Sequence, residues 1–275
     1  MSDSGGDDIK TMRLRYAGTC ACGAPVPAGT QAGWNTSTRS VICPDCLAST
    51  DDMAVESGTA GASLRREHER RVTKRESRIR AKHPHIGGLI LAVTDEPAST
   101  RAFATGAVGE EKIAASLENR AGSTVLFLHN RKLGLFNRGD IDHIAVAPSG
   151  VYVIDAKHYD EKKVEVRRSG GWLSESREQL IIGGRDRTPL LQSVAKQVTA
   201  VRQALDALPG TDAVQVKPVL CFLGAYLPWL TTQRIGGVPL LGPKDTAAAL
   251  RAHGQLDEAS RRRIRAHLAS LLPPA

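Results

Sequence analysis

The spacing of apolar residues predicts alternating helices and strands along most of the chain. Leu190, Val194, Val198, Val201 and Leu205 recur at helical spacing, which predicts a helix over residues 189–208 with one buried stripe. Helices are also expected over 99–119 and 245–271. Two short runs, 140–146 (DIDHIAV) and 151–157 (VYVIDAK), read as strands joined across Pro148 and Ser149. Further strands are expected at 124–128, 214–222 and 238–241, with a hairpin over 163–182 that turns at Gly170 and Gly171. The order is that of an α/β domain spanning 98–275. Upstream, the basic stretch from Leu64 carries only a thin apolar stripe (Leu64, Val72, Ile79), which predicts an exposed helix ending before Pro84. The run Gly87–Val93 reads as a strand or as a buried helical turn. Residues 51–63, rich in Ser, Gly, Thr and Ala, read as a linker. Three parts are therefore expected: a head over 1–50, a linker and helix over 51–97, and the α/β domain.

Composition narrows the class. Apolar residues make up 41% and charged residues 24%, values typical of a folded globular protein. Aromatics are only 4%, so the core is expected to be built from Leu, Ile, Val and Ala. No apolar run reaches the roughly 18 residues that span a bilayer. The N-terminus lacks the basic start and apolar run of a signal peptide, so a cytoplasmic protein with no membrane partner is expected. The net charge is +8, and nine basic against three acidic residues between 64 and 85 account for +6 of it. That concentration suits an arm contacting the phosphates of a nucleic acid; a solvated helix with local ion pairs is the competing reading.

Four of the five cysteines form the pattern Cys20-x-Cys22 and Cys43-x-x-Cys46. Two close pairs about 20 residues apart suit a structural zinc site of four thiolates, a zinc-ribbon-like head. Gly23 permits a tight turn beside the first pair, and a segment this small needs the metal to fold. Disulfides are the alternative, but Cys-x-Cys is poor geometry for a bridge. Cys221 lies in the apolar run 219–223 and is expected to be a buried small hydrophobe.

The strands at 140–146 and 151–157 hold the chemistry. A two-residue turn at Pro148 and Ser149 pairs Ala147 with Gly150 and, counting back along both strands, Asp142 with Asp155. A bulge at Gly150 shifts this by one residue and leaves Asp142 near both Asp155 and Lys157. Two carboxylates about 5 Å apart repel by about 3 kcal/mol at an effective dielectric near 20, so a compensating cation is required. Lys157, or a hard divalent ion such as Mg²⁺ or Mn²⁺, meets that need. An exposed hairpin face with scattered charges is the bland alternative.

The stretch 106–208 resembles the nuclease-related domain family, a branch of the PD-(D/E)xK nuclease superfamily. Gly109-Glu110 is similar to its first helical motif, Gly139–His143 to its central acidic strand and Val153–Lys157 to its Asp/Glu-x-Lys strand. A zinc-binding head, a basic helix and such a domain together are similar to the organisation of bacterial proteins, actinobacterial ones in particular. The resemblance implies a restriction-endonuclease-like mixed sheet of order αβββαβ and a Mg²⁺- or Mn²⁺-dependent nuclease acting on DNA. It implies that Asp142 and Asp155 bind the ion with the Ala156 carbonyl as an extra ligand. Lys157 would orient water or stabilise phosphate charge, and Glu110 would reach the metal through the helix terminus or a water. Glu111 lies about 100° away on the helix, so only one of the two is expected to face the site. Gln192 and Gln197 fall where the superfamily carries a supporting glutamine, and spacing does not choose between them. His143 and His158 alternate away from the motif face and are expected to be bystanders. Ile141 stands where the superfamily pattern has Pro, and Asp155 where it more often has Glu. Two other functions compete with hydrolysis: a non-catalytic nucleic-acid-binding module, and an adaptor whose zinc head docks another protein.

Overall fold

The structure is a computed structural model that describes residues 9–20, 22–36, 38–47, 55–134, 139–170, 177–228 and 232–275. The head is built from five short strands: β1 (Ile9–Arg13), β2 (Gly18–Thr19), β3 (Pro25–Val26), β4 (Gln31–Asn35) and β5 (Ser40–Ile42). They form a sheet of order β1-β4-β5 and a β2-β3 hairpin. Its core is small, comprising Leu14, Cys20, Val26, Ala32 and Cys43. Gly23 and Gly29 take left-handed φ values of 87° and 86° at the two tight turns.

Three helices follow: α1 (Ala62–Lys82), α2 (Gly87–Val93) and α3 (Ala98–Ala121). α1 ends before Pro84 as its sequence predicts and buries no residue completely. The Gly87–Val93 run is helical, but only Gly87 is buried; Ile86, Leu89 and Val93 stand exposed.

The central sheet has order β13-β14-β12-β8-β7-β6. Its strands are β6 (Leu126–Lys132), β7 (Asp140–Ala147), β8 (Gly150–His158), β12 (Val216–Leu223), β13 (Arg234–Ile235) and β14 (Val238–Leu241). β6, β7 and β8 pair antiparallel, whereas β12 joins β8 and β14 in parallel. Between β8 and β12 run β9 (Val164–Ser169), β10 (Arg177–Ile182) and β11 (Arg185–Asp186), then α4 (Pro189–Asp206). The first three form a separate small antiparallel sheet; the far side of its expected turn, residues 171–176, lies outside the described residues. From α3 through β12 the order is αβββαβ with that small sheet inserted.

Helices cover both faces of the central sheet. α3 and α5 (Pro243–Leu250) pack Ile113, Leu117 and Leu250 against Ala145, Ile154 and Cys221. On the other face α4 and α6 (Glu258–Leu271) pack Val201, Leu205, Ile264 and Leu268 against Ile144, Val151 and Val153. A sheet buried on both faces explains why 151–154 and 219–223 are nearly continuous apolar runs. Cys221 is fully buried, as expected, and burial pushes its thiol up to about 12. The helix expected over 245–271 is two helices. Between them Gly254 lies against the β7–β8 turn, where a Cβ would stand 2.0 Å from the Pro148 carbonyl oxygen.

The edge of β6 is covered. His129 N–H donates to the Ser57 carbonyl at 2.6 Å, Lys132 N–H to Pro273 at 2.9 Å, and Ala275 N–H to the Asn130 carbonyl at 2.8 Å. Fully buried Arg131 fixes both covering segments, donating to the carbonyls of Leu272 (2.6 Å), Glu56 (2.8 Å) and Ala269 (2.9 Å). The described part of the expected linker is thus packed onto the sheet. No helix among the described residues is long and apolar enough to cross a membrane.

Candidate active site

β7 and β8 take the unbulged register, with Ala147 opposite Gly150 and His143 opposite Ile154. One residue further along, Asp142 comes beside Asp155. The Asp142 Oδ2 accepts the Ala156 N–H at 2.8 Å, so the carboxylate itself ties the two strands where the ladder ends. Lys157 Nζ pairs with Asp155 Oδ1, donates to the Ala156 carbonyl at 3.0 Å and lies 3.9 Å from Asp142 Oδ2. One ammonium therefore sits among three oxygen donors, supplying the cation that the two carboxylates require.

α3 brings Glu110 to the same place. Gly109 lets the helix lie close to β8, because a Cβ there would stand 2.5 Å from His158 Cβ. Glu110 is buried, and its Oε2 accepts the Gly61 N–H at 3.0 Å, at the start of α1. Glu111 points away, as the helical rotation predicts, and takes Arg65 in a two-pronged ion pair at 2.5 and 2.6 Å. Of the two glutamines, Gln197 reaches the cluster: it is buried and donates to Asp155 Oδ2 at 3.3 Å. Gln192 lies exposed on α4 and takes no part.

A cavity of about 570 Å³ opens over these groups; Glu110, Asp142, Ala156 and Lys157 line it, with Leu64 and Arg101 among the other wall residues. Asp155 and Gln197 lie behind Lys157, outside that lining. The second histidine differs from expectation. His143 is a buried bystander, its Nδ1 2.9 Å from His129 Nδ1, but His158 borders the cavity and pairs with Asp160 at 2.9 Å. His158 is the last residue of β8, so the cavity it borders lies at that strand's end. A larger cavity of about 870 Å³, lined by Tyr152, Lys217 and Arg234, holds none of the acidic cluster.

Burial, and next the charge on Asp142, pushes the Glu110 carboxyl up to about 8. Burial likewise pushes Asp142 up to about 7, opposed chiefly by Lys157. Burial works against the charge of Lys157, but Asp155 and Asp142 overcome it and hold the ammonium above its ordinary value. Two carboxyls raised toward neutrality beside a protonated lysine mark these residues as a candidate functional site.

Sequence reasoning missed the Gly61 amide, Leu64 and Arg101. The one available signal was the small-residue spacing Ala98, Ala102, Gly106, Glu110, which marks the α3 face leading to the carboxylate; all four line the cavity.

The head holds a second centre. The sulfurs of Cys20, Cys22, Cys43 and Cys46 all lie within 4.8 Å of one another, the one such group of three or more donors among the described residues. All four are free thiols, and Cys22 Sγ stands 3.7 Å from Cys43 Sγ. Zn–S bonds of about 2.3 Å in a tetrahedron give sulfurs about 3.8 Å apart, so the four thiols fit one zinc ion with no position left open. Backbone N–H groups of Cys43 and Cys22 hold the Cys20 thiol down to about 6, whereas burial raises Cys43 and the neighbouring Cys22 sulfur pushes Cys46 up to about 12, so Cys20 is the thiol readiest to become the thiolate that binds metal.

No curated protein and no solved structure gives a significant match to the chain. A family model does match, and it begins on α3 and ends with β12. The segment that positions Glu110, Asp142, Asp155, Lys157 and Gln197 is therefore the segment the model recognises: residues 105–223 match the family model of the nuclease-related domain.

Proposed function

We propose that the protein is a divalent-cation-dependent nuclease that hydrolyses phosphodiester bonds in DNA. The observation supporting this is that Glu110, Asp142, Ala156 and Lys157 line one cavity, with Asp155 paired to the Lys157 ammonium from outside that lining. The oxygen donors suit a hard ion such as Mg²⁺ or Mn²⁺, and the ammonium standing among them supports reading the spot as one that favours positive charge. Asp142, Asp155 and the Ala156 carbonyl would hold the ion, with Glu110 alongside. When bound, a divalent ion supplies Lewis-acid stabilisation of phosphate charge and lowers the pKa of water. The protein's own groups do the rest. Lys157, kept protonated, presents a fixed positive charge to a non-bridging phosphate oxygen or orients the attacking water. Gln197 and the Ala156 N–H hold the two aspartates in place, and Arg101 gives the rim a further positive charge.

Purified protein incubated with plasmid DNA and Mg²⁺ or Mn²⁺ is expected to nick or linearise it, and Asp155→Asn is expected not to. Equal cutting by both forms would overturn the proposal. One observation favours the runner-up, a module that binds nucleic acid without cutting it: among the described residues the four cysteines form the one group of three or more donors placed to hold a metal ion, and Glu110, Asp142 and Asp155 do not form another. That reading predicts salt-sensitive DNA binding with no cleavage in any divalent metal.

A further inference from the structure

α1 leaves the rim of the candidate site and carries cations at Arg66, Arg70, Lys74, Arg78 and Lys82. Each lies four residues beyond the last, so the row advances about 6 Å and turns about 40° per step. The whole row is about 24 Å long. Arg66 is bound to the Ala275 carbonyl, and Arg70 forms a fork with Glu67 at 2.7 and 2.8 Å. Lys74, Arg78 and Lys82 are exposed, and among the described residues no ion pair or hydrogen bond engages them. The helix is held firmly by its other side: Leu64 packs at Gly106, Arg71 lies 4.3 Å over the Phe103 ring, and His68 pairs with Glu96 at 2.7 Å. A rigid rod bearing an uncompensated cationic row is complementary to a linear polyanion.

We propose that the Lys74, Arg78 and Lys82 half of α1 tracks the sugar-phosphate backbone of duplex DNA whose scissile phosphate lies in the Glu110–Asp142 cavity. This rests on the nuclease reading above. From Leu64 on the cavity wall to these cations is ten to eighteen residues, or about 15 to 27 Å of helix, which corresponds to about four to eight base-pair steps. A flat anionic lipid surface is the other polyanion to weigh, because α2 exposes Ile86, Leu89 and Val93 beside the row. Lys74, Arg78 and Lys82 wind about 80° around α1, however, a course that a helical backbone follows more closely than a plane does.

The test uses the full-length protein and the triple variant K74Q/R78Q/K82Q, whose changes are all exposed and leave the packed face of α1 intact. Binding to a 30-base-pair duplex is measured against salt without divalent ions, so that it is independent of cleavage. The slope of log K against log salt is expected to fall by about 2 to 3, near 0.9 per lost phosphate contact. The rate ratio between that duplex and a hairpin-closed duplex of about six base pairs, cut in Mg²⁺, is expected to narrow in the variant. A reduced slope with no cutting by either form supports the backbone track and removes the enzyme. An unchanged slope with normal cutting overturns the track and leaves the enzyme standing. Vesicles of phosphatidylcholine and phosphatidylserine at 7:3 are expected not to carry the protein in flotation. Flotation that Leu89→Asp abolishes, with the DNA slope unchanged in the triple variant, would overturn the proposal in favour of a membrane.

Discussion

Replacing Glu110 with Gln isolates the electrostatic cost of the site. Glu110 is 8% exposed, and burial followed by the charge on Asp142 pushes it from 4.5 up to about 8. A carboxyl whose folded pKa is raised binds more protons in the folded state than in the unfolded state, so stability falls as pH rises between those two values. The shift of about 3.5 units sets a ceiling near 5 kcal/mol, at about 1.4 kcal/mol per unit. Sharing of charge with Asp142 and Lys157 reduces the expected effect to about 1–3 kcal/mol. Glutamine is the neutral isostere of the protonated acid, and its carbonyl can still accept the Gly61 N–H. Denaturant unfolding without divalent ions at pH 5 and pH 8.5 measures the difference. The native protein is expected to lose stability across that interval, and Glu110→Gln to lose about 1–3 kcal/mol less. An identical decline in both would refute the argument, because the titrating group would then lie elsewhere.

Three further outcomes are expected. Binding of Mg²⁺ at pH 7 is expected to release about one to two protons, because Glu110 and Asp142 hold protons up to about 8 and about 7; calorimetry in buffers of different ionisation enthalpy counts them. Arg131→Ala should destabilise the fold by about 3 kcal/mol or more, since it removes a buried guanidinium that ties three carbonyls, one buried and two half-buried, and hydrogen exchange should show residues 55–58 and 272–275 opening first. A chelator strong enough to strip zinc should unfold residues 9–47, with exchange protection in β7 and β8 retained; coupled loss of both would show that the head is not an independent unit.

The parts of the site legible in the sequence are those fixed by local geometry. The two-residue turn at Pro148 and Ser149 sets the β7–β8 register and so brings Asp142 beside Asp155. The rotation between adjacent helical residues separates Glu110 from Glu111. What could not be read depends on tertiary contact. Gln192 and Gln197 sit at equivalent spacing, and only the packing of α4 on the sheet buries one of them. The break between α5 and α6 arises where Gly254 meets the β7–β8 turn; its local signal was Gly254 followed by Asp257, whose side chain caps α6 by accepting the Ser260 N–H. Residues 55–61 look like a tether because they are poor in apolar side chains. Their anchors are backbone carbonyls and amides, which composition cannot reveal.

The cover on β6 bears on how the protein can be dissected. A fragment trimmed to 105–223 would keep all the acidic motifs yet lose Ser57, Pro273 and Ala275, whose backbone groups occupy that strand's outer rim. It would also lose the amide that Gly61 offers to Glu110. Such a fragment presents a bare strand to its neighbours, inviting self-association, and silence from it in a cleavage assay would say nothing about the intact molecule.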